Sequence, residues 1–167
     1  YGAQQGTPDL DDTMIEQFKQ MPNVVAATPI YQSYQISGTV YAGKGDKYES
    51  WSSLIGMDVE SIEPMGYELL YGSYLTPGQS LGKGKIPVLV EASTIFNFMD
   101  AKKSWNSPSK QMYAEYDEMG NVLNYPQYDE AGNLINADQF FFDIMNTKLT
   151  YKMHVGFDEN TGEDKYI

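Results

Sequence analysis

The chain of 167 residues lacks two residue types and has little of a third. It contains no cysteine, which excludes disulfides, thiol nucleophiles and cysteine-ligated zinc sites. It contains no arginine either, so all eleven basic residues are lysine, and His154 is the single histidine. No recognisable motif pairs His154 with a catalytic serine or acid. A histidine without such a motif is only weak evidence for a function. We predict that His154 is a solvent-facing strand residue on the face opposite Met153 and Val155.

Positive charge is scarce, and the formal net charge is −12 at pH 7. A nucleic-acid-binding protein needs a basic surface to neutralise phosphates, so we expect no nucleic-acid partner. An anionic membrane surface would repel the chain, whereas cationic partners are favoured. No apolar run approaches the ~18 residues of a transmembrane helix, and no signal-peptide pattern is present. Because the chain begins and ends abruptly, we expect a soluble piece of a longer protein.

The residues that are present are typical of a folded domain. Hydrophobic residues make up 41% of the chain and aromatic residues 14%, which argues against disorder. The length suits one domain, or one domain with a small lobe. From the elements described below, we predict an α+β fold with a mixed β-sheet, two or three short helices and a small β-rich inserted lobe.

The first predicted element is a helix over residues 10–21, because apolar residues recur there at helical spacing. Thr13 and Glu16 would form a capping box, and Pro22 ends the helix because the residue before a proline disfavours the α region. A short helix limited by Pro64, and another from Ala92 with Ser93 as its cap, are also predicted. Strands are predicted from alternation and apolar runs: 24–40, broken at Pro29 and with Tyr34, Ile36, Gly38 and Val40 alternating, then 48–55, 86–91 (buried on both faces), 140–144 and 148–157. Turns are predicted at 43–47 and 158–162.

Residues 102–139 differ from the rest of the chain because they are polar and contain an internal repeat. The stretch Tyr116-Asp-Glu-Met-Gly-Asn-Val-Leu-Asn recurs twelve residues later as Tyr128-Asp-Glu-Ala-Gly-Asn-Leu-Ile-Asn. Asp-x-x-Gly-Asn favours a turn in which the glycine takes a positive φ. We predict two short hairpins or one meander here. Residues 102–147 would form the inserted lobe, and residues 1–101 with 148–167 an α/β core.

No motif in the chain specifies catalysis or metal binding. The loop from Asp158 to Asp164 alternates oxygen ligands as calcium loops do, but its glycine is fifth rather than sixth, so a hairpin turn is favoured. A glycosidase pair is defined by distance in space, and we interpret the local acids as a solvated face; they are Glu115, Asp117, Glu118, Asp129 and Glu130. The Gly-x-Gly pairs at 43 and 82 lack a nucleotide fingerprint, and Ser52, Ser53 and Ser93 lie in no nucleophile elbow. We assign no catalytic, cofactor-binding or metal-ligating residue and expect no cofactor.

Amphipathic aromatic rings are frequent, and two interpretations stay open. The rings could fill a β-rich core and its rim, or some of them could form an interface with a partner. The residues concerned are Tyr31, Tyr34, Tyr41, Tyr48, Trp51, Tyr71, Tyr74 and Trp105.

Three segments, in this order, resemble the extracytoplasmic (MacB-like periplasmic core) domain of FtsX/MacB-type ABC transporter permeases. The first runs from Leu10 through Phe18 and Met21-Pro-Asn-Val-Val to Pro29, like the family's opening helix and first strand. The second is Ile55-Gly-Met-Asp followed by Glu68-Leu-Leu-Tyr-Gly-Ser-Tyr-Leu-Thr, and the third is Ile86-Pro-Val-Leu-Val-Glu-Ala-Ser-Thr-Ile-Phe. The resemblance covers about residues 10–100 and the strand at 148–157, and its motifs consist of turn and core residues.

Two positions depart from the family's pattern. Asn23 stands where the family usually has glycine, and asparagine tolerates the same positive φ. Ser73 stands where arginine usually follows the glycine, which weakens the match at that point.

The resemblance implies a domain without catalytic activity, since ATP is hydrolysed in that family by a separate ATP-binding subunit or domain. Such a domain lies on the extracytoplasmic face of the bacterial cell membrane and transmits ATP-driven motion to an exported substrate or an envelope protein. Its implied partners are the transmembrane helices of the same permease and, indirectly, the ATP-binding subunit, with a dimeric parent protein. The alternative is a free-standing bacterial surface-binding module, a glycan or peptide adhesin. A hydrolase is a third possibility without a motif to support it.

Overall fold

The computed structural model describes residues 11–31 and 38–166. The chain divides into two compact units, the first built from residues 1–32 and 55–89 and the second from residues 33–54 and 90–167. Within the described ranges, no helix combines the length and the apolar character that a bilayer crossing requires. The predicted division into a core and an inserted lobe at 102–147 stays a prediction.

The second unit contains a five-stranded sheet in the order β3-β2-β1-β4-β5. Its strands are β1 (Gly38–Ala42), β2 (Tyr48–Ser50), β3 (Met99–Asp100), β4 (Thr150–Phe157) and β5 (Asp164–Tyr166). The helices of the described chain are α1 (Asp12–Lys19), α2 (Val59–Ile62) and two 3₁₀ helices, Ala92–Asn97 and Ala137–Gln139. The predicted α+β class is confirmed, with strand pairs that are all antiparallel rather than mixed.

The β1–β2 hairpin forms where the sequence predicts it. Its turn holds Gly43 at φ +77°, Gly45 at φ +68° and Asp46 at φ +52°, conformations that favour glycine and tolerate aspartate. On the buried face, Val40 of β1 is directly opposite Ser50 and Ala42 is opposite Tyr48. Because successive strand residues point to opposite faces, this register turns the apolar residues of both strands toward one core.

Two apolar clusters form the core of the second unit. The first consists of Val40, Ala42, Tyr48 and Phe98, with Phe141 and Phe142 packed against it. The second consists of Ile95, Phe96, Met112 and Phe140. The segment 140–144, predicted as a strand, instead has bends at residues 140–142 and a turn that starts at Ile144. A strand would send alternate side chains to opposite faces, whereas the bends let all three consecutive phenylalanines pack on these clusters.

The first unit begins with α1, which confirms the predicted helix. The cap differs from the prediction, because the Asp11 carboxylate, not a capping box at Thr13, accepts a hydrogen bond from the Met14 N–H at 3.0 Å. Thr13 is the second residue of the helix, so it does not occupy the N-cap position, which Asp11 takes two residues earlier. After Pro22, Asn23 adopts φ +67°, the positive φ expected of it. The helix α2 ends directly before Glu63 and Pro64, as predicted.

Two of the predicted strands are much shorter than expected. Of residues 24–40, only β1 and a single bridge between Tyr31 and Gly56 pair within the described chain. Tyr34 and Ile36 lie outside the described residues. Of residues 48–55, only β2 is strand. Alternation of apolar and polar residues indicates which face of a strand would be buried. It does not show that a neighbouring strand is present to form a ladder, and the observed strands are therefore short.

The strand predicted at 86–91 is wrong. These residues have no ladder in the described chain, and Ile86 is 82% exposed. A strand buried on both faces needs a neighbour on each side and a cover on each face, and Pro87 cannot donate a ladder hydrogen bond. The predicted helix after Ala92 is a 3₁₀ helix whose N-cap position is Glu91 and not Ser93. Ser93 instead donates its hydroxyl to the Glu91 carboxylate at 2.6 Å.

Candidate functional site

The internal repeat folds into two short hairpins of matching geometry, which confirms the predicted turns. The first hairpin (residues 113–124) has a bridge between Tyr116 and Val122, and the second hairpin (residues 125–136) has one between Tyr128 and Leu134. Corresponding atoms twelve residues apart make the same hydrogen bonds in both copies. The repeated structure is therefore longer than the repeated sequence first suggests, since it starts three residues earlier.

Each turn is held by an aspartate, Asp117 in the first hairpin and Asp129 in the second (the turn aspartates). Asp117 Oδ1 accepts hydrogen bonds from the Met119 and Asn121 backbone N–H groups at 2.8 Å, and Asn121 Nδ2 donates to Asp117 Oδ2. The side-chain and backbone hydrogen bonds from Asn121 hold the pKa of Asp117 below its usual value. The same two bonds from Asn133 lower the pKa of Asp129. These hydrogen bonds therefore favour the ionised form of both carboxylates.

The open ends of the hairpins are closed by asparagines, Asn124 and Asn136 (the closing asparagines). Asn124 Oδ1 accepts from the Glu115 backbone N–H at 2.8 Å, and its Nδ2 donates to the Tyr113 carbonyl at 3.2 Å. Asn136 makes the equivalent bonds, at 2.9 Å and 3.2 Å, to the residues twelve positions later. Because each amide uses both its ends on backbone, these two side chains are fixed in place.

A half-open groove of about 480 Å³ lies between the hairpins. The groove is lined by Glu115, Leu123, Asn124, Gln127, Asn136 and Gln139. Two pairs of these residues, Glu115 with Gln127 and the closing asparagines with each other, occupy equivalent positions in the two copies. Gln139 comes from the following 3₁₀ helix and accepts from Asn136 Nδ2 at 3.3 Å. The groove is therefore polar and largely built by the repeat.

The hairpins are attached to the core of the second unit by equivalent apolar side chains. Val122 and Leu134 both pack against the second core cluster. The Tyr128 hydroxyl also donates to Asp143 Oδ1 at 2.9 Å. Burial raises the pKa of Asp143, but hydrogen bonds from Asn146 and Tyr128 outweigh it, and the net shift is downward. These contacts give the groove a fixed support.

The acids considered as a catalytic pair have different surroundings in the structure. The turn aspartates are engaged in their own hairpins, Glu115 lines the groove, and Glu118 and Glu130 are exposed. The calcium-like loop is a hairpin turn between β4 and β5, as predicted, with the Asp158 carboxylate accepting from the Asn160 and Thr161 N–H groups. Within the described ranges, no group of three or more histidine or acidic side chains is placed to hold a metal ion.

His154 does not face solvent as predicted. It is half-buried, with its ring edge-on to the rings of Phe157 at 5.3 Å and Tyr166 at 5.6 Å. The pairing of β5 with β4 places Tyr166 opposite His154, and this covers the ring. Ser52 also has a structural partner, since its hydroxyl shares a 2.6 Å hydrogen bond with the buried Ser50.

The aromatic residues divide between the two interpretations left open by the sequence. Tyr48 belongs to the core, and Tyr41 lies under the Lys152 ammonium at 4.5 Å. Trp51 and Trp105 form an exposed pair, with ring centroids 6.1 Å apart and exposures of 64% and 66%. Of the remaining rings named from the sequence, Tyr31 and Tyr71 are exposed, Tyr74 is half-buried and donates to the Tyr67 carbonyl, and Tyr34 lies outside the described residues.

The groove was not foreseen from the sequence, although part of its signal is visible there. Tyr113 and Tyr125, whose carbonyls the closing asparagines bind, extend the repeat by three residues. An asparagine at the end of both copies also predicts a common closing bond. Neither signal identifies Gln139 or the space between the hairpins. Comparison with known proteins gives no further assignment, because no family model, curated protein or solved structure matches the chain.

Proposed function

We propose that this chain is a non-catalytic extracytoplasmic domain of an ABC transporter permease, which transmits ATP-driven motion to an exported substrate or an envelope protein. In this proposal its partners are the transmembrane helices of its own permease and, through them, the ATP-binding subunit. The basis is the resemblance of residues 10–100, together with one observation in the first unit.

That observation is the association of two of the segments that carry the resemblance. Tyr31 and Gly56 exchange two backbone hydrogen bonds of 2.9 Å. The Asp58 N–H donates to Thr28 Oγ1 at 2.7 Å, and the Lys19 ammonium lies 3.5 Å from the Asp58 carboxylate. The helix, the chain after Pro22 and the Ile55-Gly-Met-Asp turn are therefore joined within one unit. Such an arrangement supports a role in which a helix moves together with the strand-like segments that follow it.

The exposed apolar residues of the first unit also support a protein partner. Val25, Ile30, Ile55, Leu70 and Ile86 are each more than half exposed. Several large apolar side chains exposed on one compact unit leave apolar surface that a protein partner could cover. In the proposed permease, these residues would contact neighbouring parts of the parent protein or its partner.

The parent gene provides the first test. We expect an apolar segment of ~20 residues shortly before Tyr1 and further such segments beyond Ile167. A signal peptide upstream without spanning helices downstream would refute the permease proposal. In the full-length transporter, deletion of the two hairpins (residues 113–136), which leaves Met112 and Phe140 of the core in place, is expected to abolish partner engagement while ATPase activity is retained. Loss of both activities would also contradict the proposal.

The groove and the exposed tryptophan pair favour a second candidate, a free-standing bacterial surface-binding module for a glycan or peptide. Both features present side chains suited to ligand contact, namely the polar lining of the groove and the Trp51–Trp105 pair. This candidate requires the upstream signal peptide that the permease proposal excludes, so the same reading of the gene separates the two.

A further inference from the structure

The groove between the hairpins has the size and the chemistry of a binding site for a polar molecule. Its volume of about 480 Å³ lies within the ~300–1,000 Å³ that is usual for small-molecule sites. Such sites are mostly apolar, whereas five of the six side chains that line this groove are polar. A ligand that covered these polar groups without forming hydrogen bonds to them would bind weakly, because the cost of removing water from them would not be recovered. The matching ligand is therefore itself rich in polar groups.

The groove offers both hydrogen-bond donors and acceptors. Glu115 contributes a carboxylate acceptor, and Gln127 contributes an amide that donates and accepts. Gln139 uses its Oε1 to accept from Asn136, which directs its two N–H donors elsewhere. A hydroxyl group both donates and accepts, so a polyol is the ligand class that pairs with this mixture. Leu123, 57% exposed, adds an apolar patch for the carbon face of a ring.

Charge narrows the ligand class further. Glu115 is the single charged side chain in the lining, and the chain as a whole carries a net charge of −12. Anionic ligands such as phosphates and acidic sugars are therefore repelled. A strongly cationic peptide would require several carboxylates facing it, and the lining provides one. A neutral ligand fits the groove best.

The repeat supplies the last step, because each hairpin contributes two corresponding positions to the lining, and the part of the groove beside each hairpin is called a half. Glu115 and the first closing asparagine come from the first hairpin, and Gln127 and the second closing asparagine come from the second. Two similar half-sites suit a ligand made of repeating units, and the hydrogen-bonded asparagines reduce the ordering cost of binding. We propose that the groove binds a neutral saccharide chain, with one sugar unit in each half. This inference does not depend on the permease proposal.

The test uses the 167-residue chain with two neutral probes, cellotetraose and chitotetraose, by isothermal titration calorimetry and amide NMR. We expect saturable binding of at least one probe, with shifts in the side-chain amide signals of Gln127 and Gln139. The double variant Gln127→Ala/Gln139→Ala should weaken binding by about tenfold or more, since two hydrogen bonds are lost. Gln17→Ala, which removes an exposed glutamine from α1, is the matched control and should leave affinity unchanged.

Three outcomes would overturn the proposal. One is the absence of binding by both probes up to roughly 10 mM, a concentration at which even weak sites are occupied. Another is a double variant that keeps its far-UV circular dichroism and binds as tightly as the wild type. The third is binding of a tetralysine peptide that is lost in Glu115→Gln while both saccharides fail. The permease proposal is decided by the parent gene, so each can fail alone.

Discussion

Replacing Lys110 with methionine is expected to destabilise the second unit, even though methionine has a similar length and is apolar. Lys110 is only 6% exposed, and its ammonium donates to the Asp100 and Lys103 carbonyls, both at 3.1 Å. The same ammonium lies 4.6 Å from the ring centroid of Trp105. Lys110 is thereby bound to the end of β3 and to the turn after it, which lie ten and seven residues earlier in the chain.

The magnitude follows from what the substitution leaves behind. Two carbonyls lose a charged donor, and each such loss costs ~1–3 kcal/mol when the carbonyl is buried. The bond to Lys103 is only partly buried, and relief from burying an ammonium offsets part of the total. We therefore expect Lys110→Met to lower the free energy of unfolding by ~2–4 kcal/mol, a large share of the ~5–15 kcal/mol of a typical domain.

Urea unfolding followed by tryptophan fluorescence measures this effect. With a slope of ~2 kcal/mol per M, the midpoint should fall by roughly 1–2 M. Because Trp105 contacts Lys110, the midpoint and not the amplitude is compared, and circular dichroism provides a second signal. Lys148→Met, at an exposed lysine, is the control and should change little. A Lys110→Met protein as stable as the wild type would refute the reasoning, since an apolar side chain would then replace the buried ammonium without loss.

Three further predictions test the sheet and the hairpins. Gly38→Val should cost ~1–3 kcal/mol and lower the melting temperature, because a Cβ at Gly38 would lie 2.3 Å from the Tyr151 ring; unchanged melting would contradict the packing. Lowered pKa values of the turn aspartates mean that they stabilise the fold above the usual pKa of ~3.9 and lose this effect as pH falls through their folded pKa. Carboxyl NMR titration should give midpoints below that value, and midpoints at or above it would count against the turn bonds. Alanine at both Glu118 and Glu130, which are exposed, should change the free energy of unfolding by less than ~0.5 kcal/mol in urea titrations.

Local signals in the sequence predicted local structure well. The apolar spacing before Pro22 gives α1, the Gly43 and Gly45 turn gives the β1–β2 hairpin, and the alternation from Leu149 gives β4. The predictions at Ile86 and at Phe140 fail for a common reason. Both are apolar runs whose state depends on distant neighbours, and composition alone does not distinguish a covered strand from bends that bury the same side chains.

The candidate site shows the same limit at a finer scale. The Asp-x-x-Gly-Asn repeat predicts each turn, because the aspartate and glycine act within five residues of one another. The groove requires two hairpins to stand side by side on a shared apolar cluster, and the third contributor, Gln139, lies on a separate 3₁₀ helix. This arrangement depends on the packing of Val122 and Leu134. In the sequence, these two residues are recognisable only as apolar.

The two hairpins serve as a sequence comparison within one molecule. The copies are identical at the turn aspartates and the closing asparagines, where side chains bond the backbone, and they differ at Glu115 and Gln127, which line the groove. The hairpin fold is thus fixed by one set of positions while the groove chemistry varies at another. Glu118 and Glu130 break this pattern, because they are identical in the two copies although both are exposed. Their replacement by alanine therefore separates what the repeat needs for folding from what it presents at its surface.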